Sequence, residues 1–265
     1  MLMYGTAWKE DRTETCVRAA LAAGFRAIDT ANQRKHYFEA GVGAALAAAG
    51  IPRAELTLQT KYTYARGQDQ RLPYDPRASI GEQVAQSFAS SLEHLGTTWI
   101  DSYVLHGPWA GEGWSKQDRE AWSAMETLHT SGGVRALGVS NVSLAQLERA
   151  CAEATVPPAA VQNRCYARTG WDADVRTFCR ARGIAYQGFS LLTANRRELD
   201  GPVVRGIAQR LGATVPQVVF RFALAVGMTP LTGTTDPAHM AEDLAATALV
   251  LTDADVAALE RIAPA

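Results

Sequence analysis

The feature that most constrains this chain is an alternation maintained from end to end. Short apolar runs occur at residues 3–6, 25–28, 56–60, 98–105, 134–139, 159–162, 184–189 and 228–230, and longer amphipathic stretches separate them. A short, continuously apolar run reads as a strand buried on both faces, and such strands need helices to cover them. Eight of them alternating with helices in 265 residues fit a (β/α)8 barrel, an α/β fold built as a single domain over residues 1–265. A doubly wound sheet is the alternative. Its dinucleotide-binding form is disfavoured because no G-x-G-x-x-G follows an early strand.

Within the helices, Ile80, Val84, Phe88 and Leu92 recur at i,i+4 and form one stripe, read here as packing. Two long loops interrupt the alternation. One covers residues 62–76 and is rich in Gly, Pro, Arg and Tyr; the other follows His106 and carries Trp109, Gly111, Gly113 and Trp114. Loops of that length in a compact domain are often functional.

Composition excludes several classes. The formal net charge of −1 gives no general attraction to nucleic acid or an anionic membrane. No apolar run is long enough to span a bilayer, and the first residues lack the basic region and apolar core of a signal peptide. Cys16, Cys151, Cys165 and Cys179 are scattered with no C-x-x-C pair. Buried free thiols in a reducing cytoplasm are expected, and no metal site.

The strands close on Asp29, Lys61, His106, Ser140-Asn141, Gln162 and Phe189-Ser190. In a parallel barrel these ends share one mouth, where chemistry is built. Each has a plain structural reading as well: Asp29 as a turn cap, Lys61 as a solvated charge, Ser140-Asn141 as a helix N-cap, His106 as a loop hydrogen-bonder. Their joint occurrence at successive strand ends favours a catalytic reading.

Several motifs carry a family resemblance. Gly24-Phe25-Arg26-Ala27-Ile28-Asp29-Thr30-Ala31, Leu105-His106-Gly107-Pro108 and Gly138-Val139-Ser140-Asn141 resemble, in order, the second, fourth and fifth strands of aldo-keto reductases. Gln162-Asn163 and Phe189-Ser190-Leu191 stand where that family contacts a nicotinamide ring. Lys35-His36-Tyr37 and Gly67-Gln68-Asp69 resemble segments of its bacterial and fungal members.

The resemblance implies hydride transfer from NADP(H) or NAD(H) to an aldehyde or ketone, with a tyrosine donating the proton. Asp29, Lys61 and His106 match three of the four catalytic positions. The fourth is displaced: the usual spacing falls on Arg34, counting back from Val42-Gly43 falls on His36, and Tyr37 is the nearest phenol and the chosen candidate. A lysine ammonium about 4 Å from a phenol, at an effective dielectric near 20, is worth up to ~4 kcal/mol, or ~3 pK units of acidification.

The resemblance also implies a cofactor site of Gly5, Thr6, Ala7, Ser140, Asn141, Gln162, Phe189, Ser190, Leu192, Gly233, Thr234, His239 and Asp243. Arg196 and Arg197 are either pyrophosphate partners or ordinary solvated charges. No Lys or Arg lies between Arg221 and Arg261, which leaves a ribose 2′-phosphate without a cationic partner there and tilts the expectation toward NAD(H). Trp8, Tyr64 and Trp109 are candidate contacts for an apolar carbonyl substrate, with loop packing the alternative for these and for Trp114. The expected enzyme is cytoplasmic, a monomer or weak homo-oligomer, with no nucleic-acid or membrane partner. Two other functions compete: a lyase or dehydratase forming a Schiff base on Lys61, and a non-catalytic NAD(P)-binding barrel.

Overall fold

The computed structural model describes residues 1–263. Eight strands hydrogen-bond in sequence order into a closed barrel. They are β1 (Met3–Gly5), β2 (Ala27–Asp29), β3 (Thr57–Tyr62), β4 (Ile100–Leu105), β5 (Val134–Ser140), β6 (Ala160–Arg164), β7 (Ala185–Phe189) and β8 (Met228–Thr232). The helices are α1 (Thr13–Ala23), α2 (Glu39–Ala49), α3 (Ile80–Leu95), α4 (Lys116–Thr130), α5 (Leu144–Glu153), α6 (Ala173–Arg182), α7 (Arg196–Leu199), α8 (Pro202–Leu211), α9 (Val215–Ala225), α10 (Pro237–Ala245) and α11 (Asp253–Glu260). The chain parts into two units, Tyr4–Val161 and the segment from Gln162 onward together with Met1–Met3.

In the first unit β1 to β5 pair in parallel, with Gly5 opposite Asp29, Asp29 opposite Gln59 and Lys61 opposite Val104. Because side chains alternate along a strand, Gln59 and Lys61 share one face of β3 while Leu58, Thr60 and Tyr62 take the other. All five are buried. On the helix stripe, Val84 and Phe88 are buried and Phe88 meets Tyr103 of β4 edge to face at 5.1 Å. Ile80 and Leu92 are only half-buried, and Leu95 closes the stripe instead. Gly43 lets α2 press on α3, since a Cβ there would stand 2.0 Å from the His94 carbonyl oxygen.

In the second unit β7 and β8 pair in parallel, and the buried Trp171 ring packs on Phe222 of α9 at 5.3 Å. The Trp171 indole donates to the Leu259 carbonyl at 2.9 Å, which ties α11 down.

Helix starts follow the S/T-x-x-E/Q/D signature. Ser79 with Glu82, Ser115 with Asp118, Ser143 with Gln146, Thr214 with Gln217 and Thr252 with Asp255 each close a reciprocal capping box. Such a cap is worth about 1 kcal/mol. The cap of α5 is Ser143, so Ser140 and Asn141 are not a helix N-cap. All four cysteines are free, but Cys151 is only half-buried, against the expectation of burial for each.

Candidate active site

Asp29 ends β2 and Lys61 lies on β3, one step before the last strand residue. The Lys61 ammonium, fully buried, donates to Asp29 Oδ1 at 2.5 Å and to the Thr30 carbonyl at 2.8 Å. Gln59, two residues back on the same face, donates its amide to the same Asp29 oxygen at 2.7 Å. A buried ion pair persists only when its remaining polar atoms are also satisfied, and here they are held from two strands. Burial is the main force lowering the Lys61 pKa, and the Asp29 carboxylate opposes it.

The segment after Asp29 curls into one helical turn: the Gln33 carbonyl accepts from the His36 amide at 3.0 Å and the Tyr37 amide at 2.9 Å. That turn sorts the three candidates for the proton donor. Arg34 stacks its guanidinium on Phe38 at 4.4 Å. His36 stacks on Trp8, with ring centroids 3.8 Å apart. Tyr37 alone comes to the pair, its ring centroid 5.3 Å from Lys61 Nζ and 5.8 Å from the His106 ring at 69°. The Tyr37 hydroxyl makes no hydrogen bond to any described residue.

The acidification expected for that phenol is not found. Burial, and next the Asp29 charge, push the Tyr37 pKa up. Removing the phenolate from water is the larger effect, and the Asp29 carboxylate beside Lys61 adds to it. The phenol is held protonated.

His106 follows β4. Its amide donates to the Tyr62 carbonyl at 2.9 Å, and its own carbonyl accepts from Asn141 Nδ2 at 2.8 Å. Burial first, then the Lys61 charge, depress the imidazole pKa to about 3, so the ring is neutral at physiological pH. Its Nδ1 lies 2.7 Å from the hydroxyl of Thr63, two residues beyond Lys61. Thr63 went unnoticed in the sequence, although its i+2 spacing from the lysine was a usable signal.

Glu39 was also missed. This buried carboxylate opens α2 two residues after Tyr37. It accepts from the hydroxyl of Thr60 beside Lys61, and from Ser91 of α3 at 3.1 and 3.2 Å. The phenol's segment is thereby tied to the lysine's strand.

The candidate substrate aromatics separate. Trp8 is 68% exposed, with left-handed backbone at φ +62. Trp109 is half-buried under the Arg66 guanidinium at 5.0 Å. Tyr64 is a correction. It is buried, its hydroxyl is committed to Asp118 Oδ1 at 3.1 Å and the Gln117 carbonyl at 3.2 Å, and its ring packs on Tyr62 and Trp109. It holds the loop to α4 and is not an open contact surface. Trp114 is likewise buried, packed against Trp122. Asp118, unnoticed in the sequence, organises this loop by also accepting from the Trp109 amide at 2.5 Å.

For the cofactor candidates of this unit, Gly5 and Ala7 are half-buried, and Thr6 is buried with its hydroxyl and amide both on the Asp29 carbonyl at 3.0 Å. The Thr6 side chain therefore braces β2 and has spent its one donor. Ser140 is buried; Asn141 is exposed with left-handed backbone at φ +55, and it donates to Ser140 Oγ at 3.1 Å.

In the other unit Gln162 is buried and donates to Gln187 Oε1 at 2.9 Å. Phe189 and Leu192 are half-buried, and Ser190 turns the chain with φ +58. The Arg164 guanidinium lies 5.5 Å over the Phe189 ring. Asn195, not singled out in the sequence, is fully buried and staples this region through the Ala167 amide and the Cys165 and Leu191 carbonyls. Arg196 and Arg197 are exposed on the one-turn α7.

Gly233 is exposed, Thr234 half-buried and His239 exposed in the first turn of α10. The N-terminus of that helix is capped by the Asp236 carboxylate, which accepts from the Ala238 amide at 2.8 Å. Asp243 is buried and accepts from Thr232 at 2.6 Å; burial raises its pKa to about 6. Among the described residues, no three His, Cys, Asp or Glu side chains gather into a possible metal site.

Comparison with known proteins adds the lineage. The model of the aldo/keto reductase family matches residues 2–264. A glyoxal reductase from Bacillus subtilis is 31% identical over 81% of this chain and 70% of its own length. An NAD/NADP-dependent indole-3-acetaldehyde reductase from Schizosaccharomyces pombe is 29% identical over 91% of this chain and 80% of its own. The crystal structure of an aldo/keto reductase from Brucella melitensis superposes with a TM-score of 0.84 at 30% identity, covering 98% of this chain and 94% of that one. A buried ion pair between the end of β2 and β3, a neutral histidine just after β4 and a family match along the chain agree: this protein belongs to the aldo/keto reductase family and is an NAD(P)H-dependent carbonyl reductase.

Proposed function

We propose that Tyr37 is the proton donor of this reductase, with Lys61, Asp29 and His106 completing the catalytic group. The observation that carries the reading is the convergence of one phenol on Lys61 and His106, at 5.3 and 5.8 Å, while its neighbours Arg34 and His36 are engaged elsewhere. The reduced nicotinamide, when bound, supplies the hydride. Tyr37 gives its hydroxyl proton to the carbonyl oxygen as negative charge builds there. The neutral His106 ring orients that oxygen by hydrogen bonding. Lys61 stabilises the phenolate left behind, and Asp29 keeps the ammonium charged and aimed. A phenol held protonated by burial is loaded for reduction of a carbonyl.

The chain's donors suit a nicotinamide. Asn141 commits its Nδ2 inward and leaves its amide oxygen open at the end of β5, an acceptor for a carboxamide. In the second unit the partly open Phe189 ring offers an aromatic face, with Ser190 and Leu192 next in the chain and Gln162 on β6. Gly5, Ala7, Ser140, Gly233, Thr234, His239 and Asp243 remain candidates for the rest of the dinucleotide.

NAD(H) is the favoured form. The stretch between Arg221 and Arg261 holds no Lys or Arg, and the Asp236 carboxylate already occupies the anion position at the N-terminus of α10. The substrate is a small apolar aldehyde or ketone, with exposed Trp8 and half-buried Trp109 as its contacts. A Schiff base on Lys61 is disfavoured, since that amine is fully buried and paired. Among the described residues no helix is long and apolar enough to cross a membrane. The reading places the enzyme in the cytoplasm, as a monomer or weak homo-oligomer with no nucleic-acid partner.

Tyr37→Phe tests the assignment. The expected result is a kcat roughly 10²–10⁴-fold lower, the range for loss of a general acid, with NADH affinity by fluorescence titration unchanged. Retained turnover removes Tyr37 from the mechanism.

A further inference from the structure

Thr63 and the loop that follows it play no part in the four-residue mechanism, yet they are among the most tightly held groups near it. We infer that Thr63, buttressed by Gly67 and Gln68, is a positioning residue that fixes the tautomer of His106, keeping the proton on Nε2 so that this nitrogen donates to the substrate carbonyl. The inference rests on the carbonyl-reductase reading of the site and deepens it.

The hydrogen-bond inventory carries the argument. Thr63 Oγ1 and His106 Nδ1 are 2.7 Å apart, so one of them is the donor. A neutral imidazole carries one N–H, and a hydroxyl carries one O–H. Burial keeps the ring neutral. If Nδ1–H donated, the Thr63 hydroxyl hydrogen would need another acceptor, and no other described residue bonds that oxygen. Thr63 is 6% exposed, so the hydroxyl hydrogen would be left buried and unpaired, a costly arrangement. If the hydroxyl donates to Nδ1, both atoms are satisfied and the proton resides on Nε2. That nitrogen hydrogen-bonds to no described residue. A carbonyl oxygen can only accept, so the same tautomer is the one the reaction needs. Two independent requirements select one state.

The hydroxyl is also aimed. The Thr63 carbonyl accepts from the Tyr74 hydroxyl at 2.7 Å and from Gln68 Nε2 at 3.3 Å, which fixes the backbone. Gln68 Nε2 also donates to the Asn32 carbonyl at 2.8 Å, and Gln33 Nε2 to the Gly67 carbonyl at 2.6 Å, so the loop is tied to the segment that carries Tyr37. The Thr63 methyl points at Gly67: a Cβ there would stand 2.8 Å from Thr63 Cγ2. With the methyl seated against a glycine, the threonine rotamer places Oγ1 on the histidine. This gives the Gly67-Gln68 segment a mechanical purpose.

The test is ¹⁵N NMR of the histidine-labelled full chain, with His106 assigned through a His106→Asn variant, alongside steady-state kinetics. In the unmodified protein, His106 Nδ1 should resonate as the unprotonated nitrogen and Nε2 as the protonated one. Thr63→Val removes the hydroxyl at constant shape. It should give a mixed His106 signal and about a tenfold fall in kcat/KM, mainly through kcat. Thr63→Ser should restore both. Gly67→Ala, which displaces the Thr63 methyl, should produce a smaller change of the same sign and keeps the test open if Thr63→Val folds poorly. A proton on Nδ1 in the unmodified protein overturns the inference, as does a Thr63→Val enzyme with unchanged His106 shifts and unchanged kcat. If the shifts behave as stated but no carbonyl drives NADH oxidation in the unmodified protein, the tautomer assignment stands and the reductase reading of this site fails.

Discussion

The two units differ in how they hold their functional side chains. In Tyr4–Val161 the chemistry is pre-bonded: Lys61 and Asp29 are buried and paired, Thr63 faces His106, and Gln33, Gln68 and Asn32 lock the surrounding loops to one another. From Gln162 onward several candidate ligand contacts lie at the surface: Gly233, His239, Arg196 and Arg197 are exposed and Phe189 is half-buried, while Gln162 and Asp243 are buried. The contrast follows from the tasks. Proton transfer requires groups fixed within fractions of an ångström, which buried hydrogen bonds provide. A dinucleotide must enter and leave, so its contacts have to be reachable from solvent.

That difference makes graded predictions. Lys61→Met strikes the rigid unit hardest. It leaves Asp29 buried without its cation, with an expected loss of about 3–5 kcal/mol in urea unfolding as well as of turnover; a variant as stable as the parent would mean that the pair is not strained by separation. Asp243→Asn comes next. The Asp243 pKa is about 6 in the folded chain against 3.8 as its ordinary value. The folded state therefore binds the extra proton, and stability is fully present below about pH 4 and is lost as pH rises through 6. The shift of ~2 units corresponds to at most about 3 kcal/mol. Urea midpoints at pH 4 and pH 7 should diverge more for the parent than for Asp243→Asn, and equal slopes would refute the assignment.

Phe189→Ala tests the open unit. Losing an aromatic face of about 1–1.5 kcal/mol should weaken NADH binding roughly tenfold and leave kcat nearly constant; a loss confined to kcat would place Phe189 with the chemistry instead. Asp236→Ser is the mildest. It keeps a good N-cap and removes one negative charge. NADPH should bind about two- to fivefold better, with NADH unchanged, for a charge effect of about 0.3–1 kcal/mol at a helix terminus. Equal gains for both cofactors would show that Asp236 does not discriminate the 2′-phosphate.

Strand order, barrel class and the placing of Asp29, Lys61 and His106 at or beside strand ends were legible because short apolar runs mark the strands. Periodicity placed most element boundaries within a few residues of their observed ends, but it could not show the helical turn at 33–37, whose hydrogen bonds are local yet irregular. Tyr64 misled for the opposite reason. An aromatic in a loop has no pattern to reveal whether it faces a ligand or a helix, and here Asp118, more than fifty residues away in sequence, decides it. The phenol's pKa differs from the expectation because a lysine–tyrosine pair considered alone leaves out the burial of the phenol and the Asp29 carboxylate.

By itself, then, the sequence determined the eight-fold alternation, the residues at the strand ends and the absence of Lys and Arg between Arg221 and Arg261. These follow from local periodicity and composition, which need no knowledge of neighbours. Only the tertiary structure decided that Tyr37 rather than His36 meets Lys61, that Thr63 faces His106 and that Glu39 ties α2 to β3. Each of those depends on a contact between elements distant in the chain, where packing and the pairing of buried polar groups choose among side chains that look equivalent in sequence.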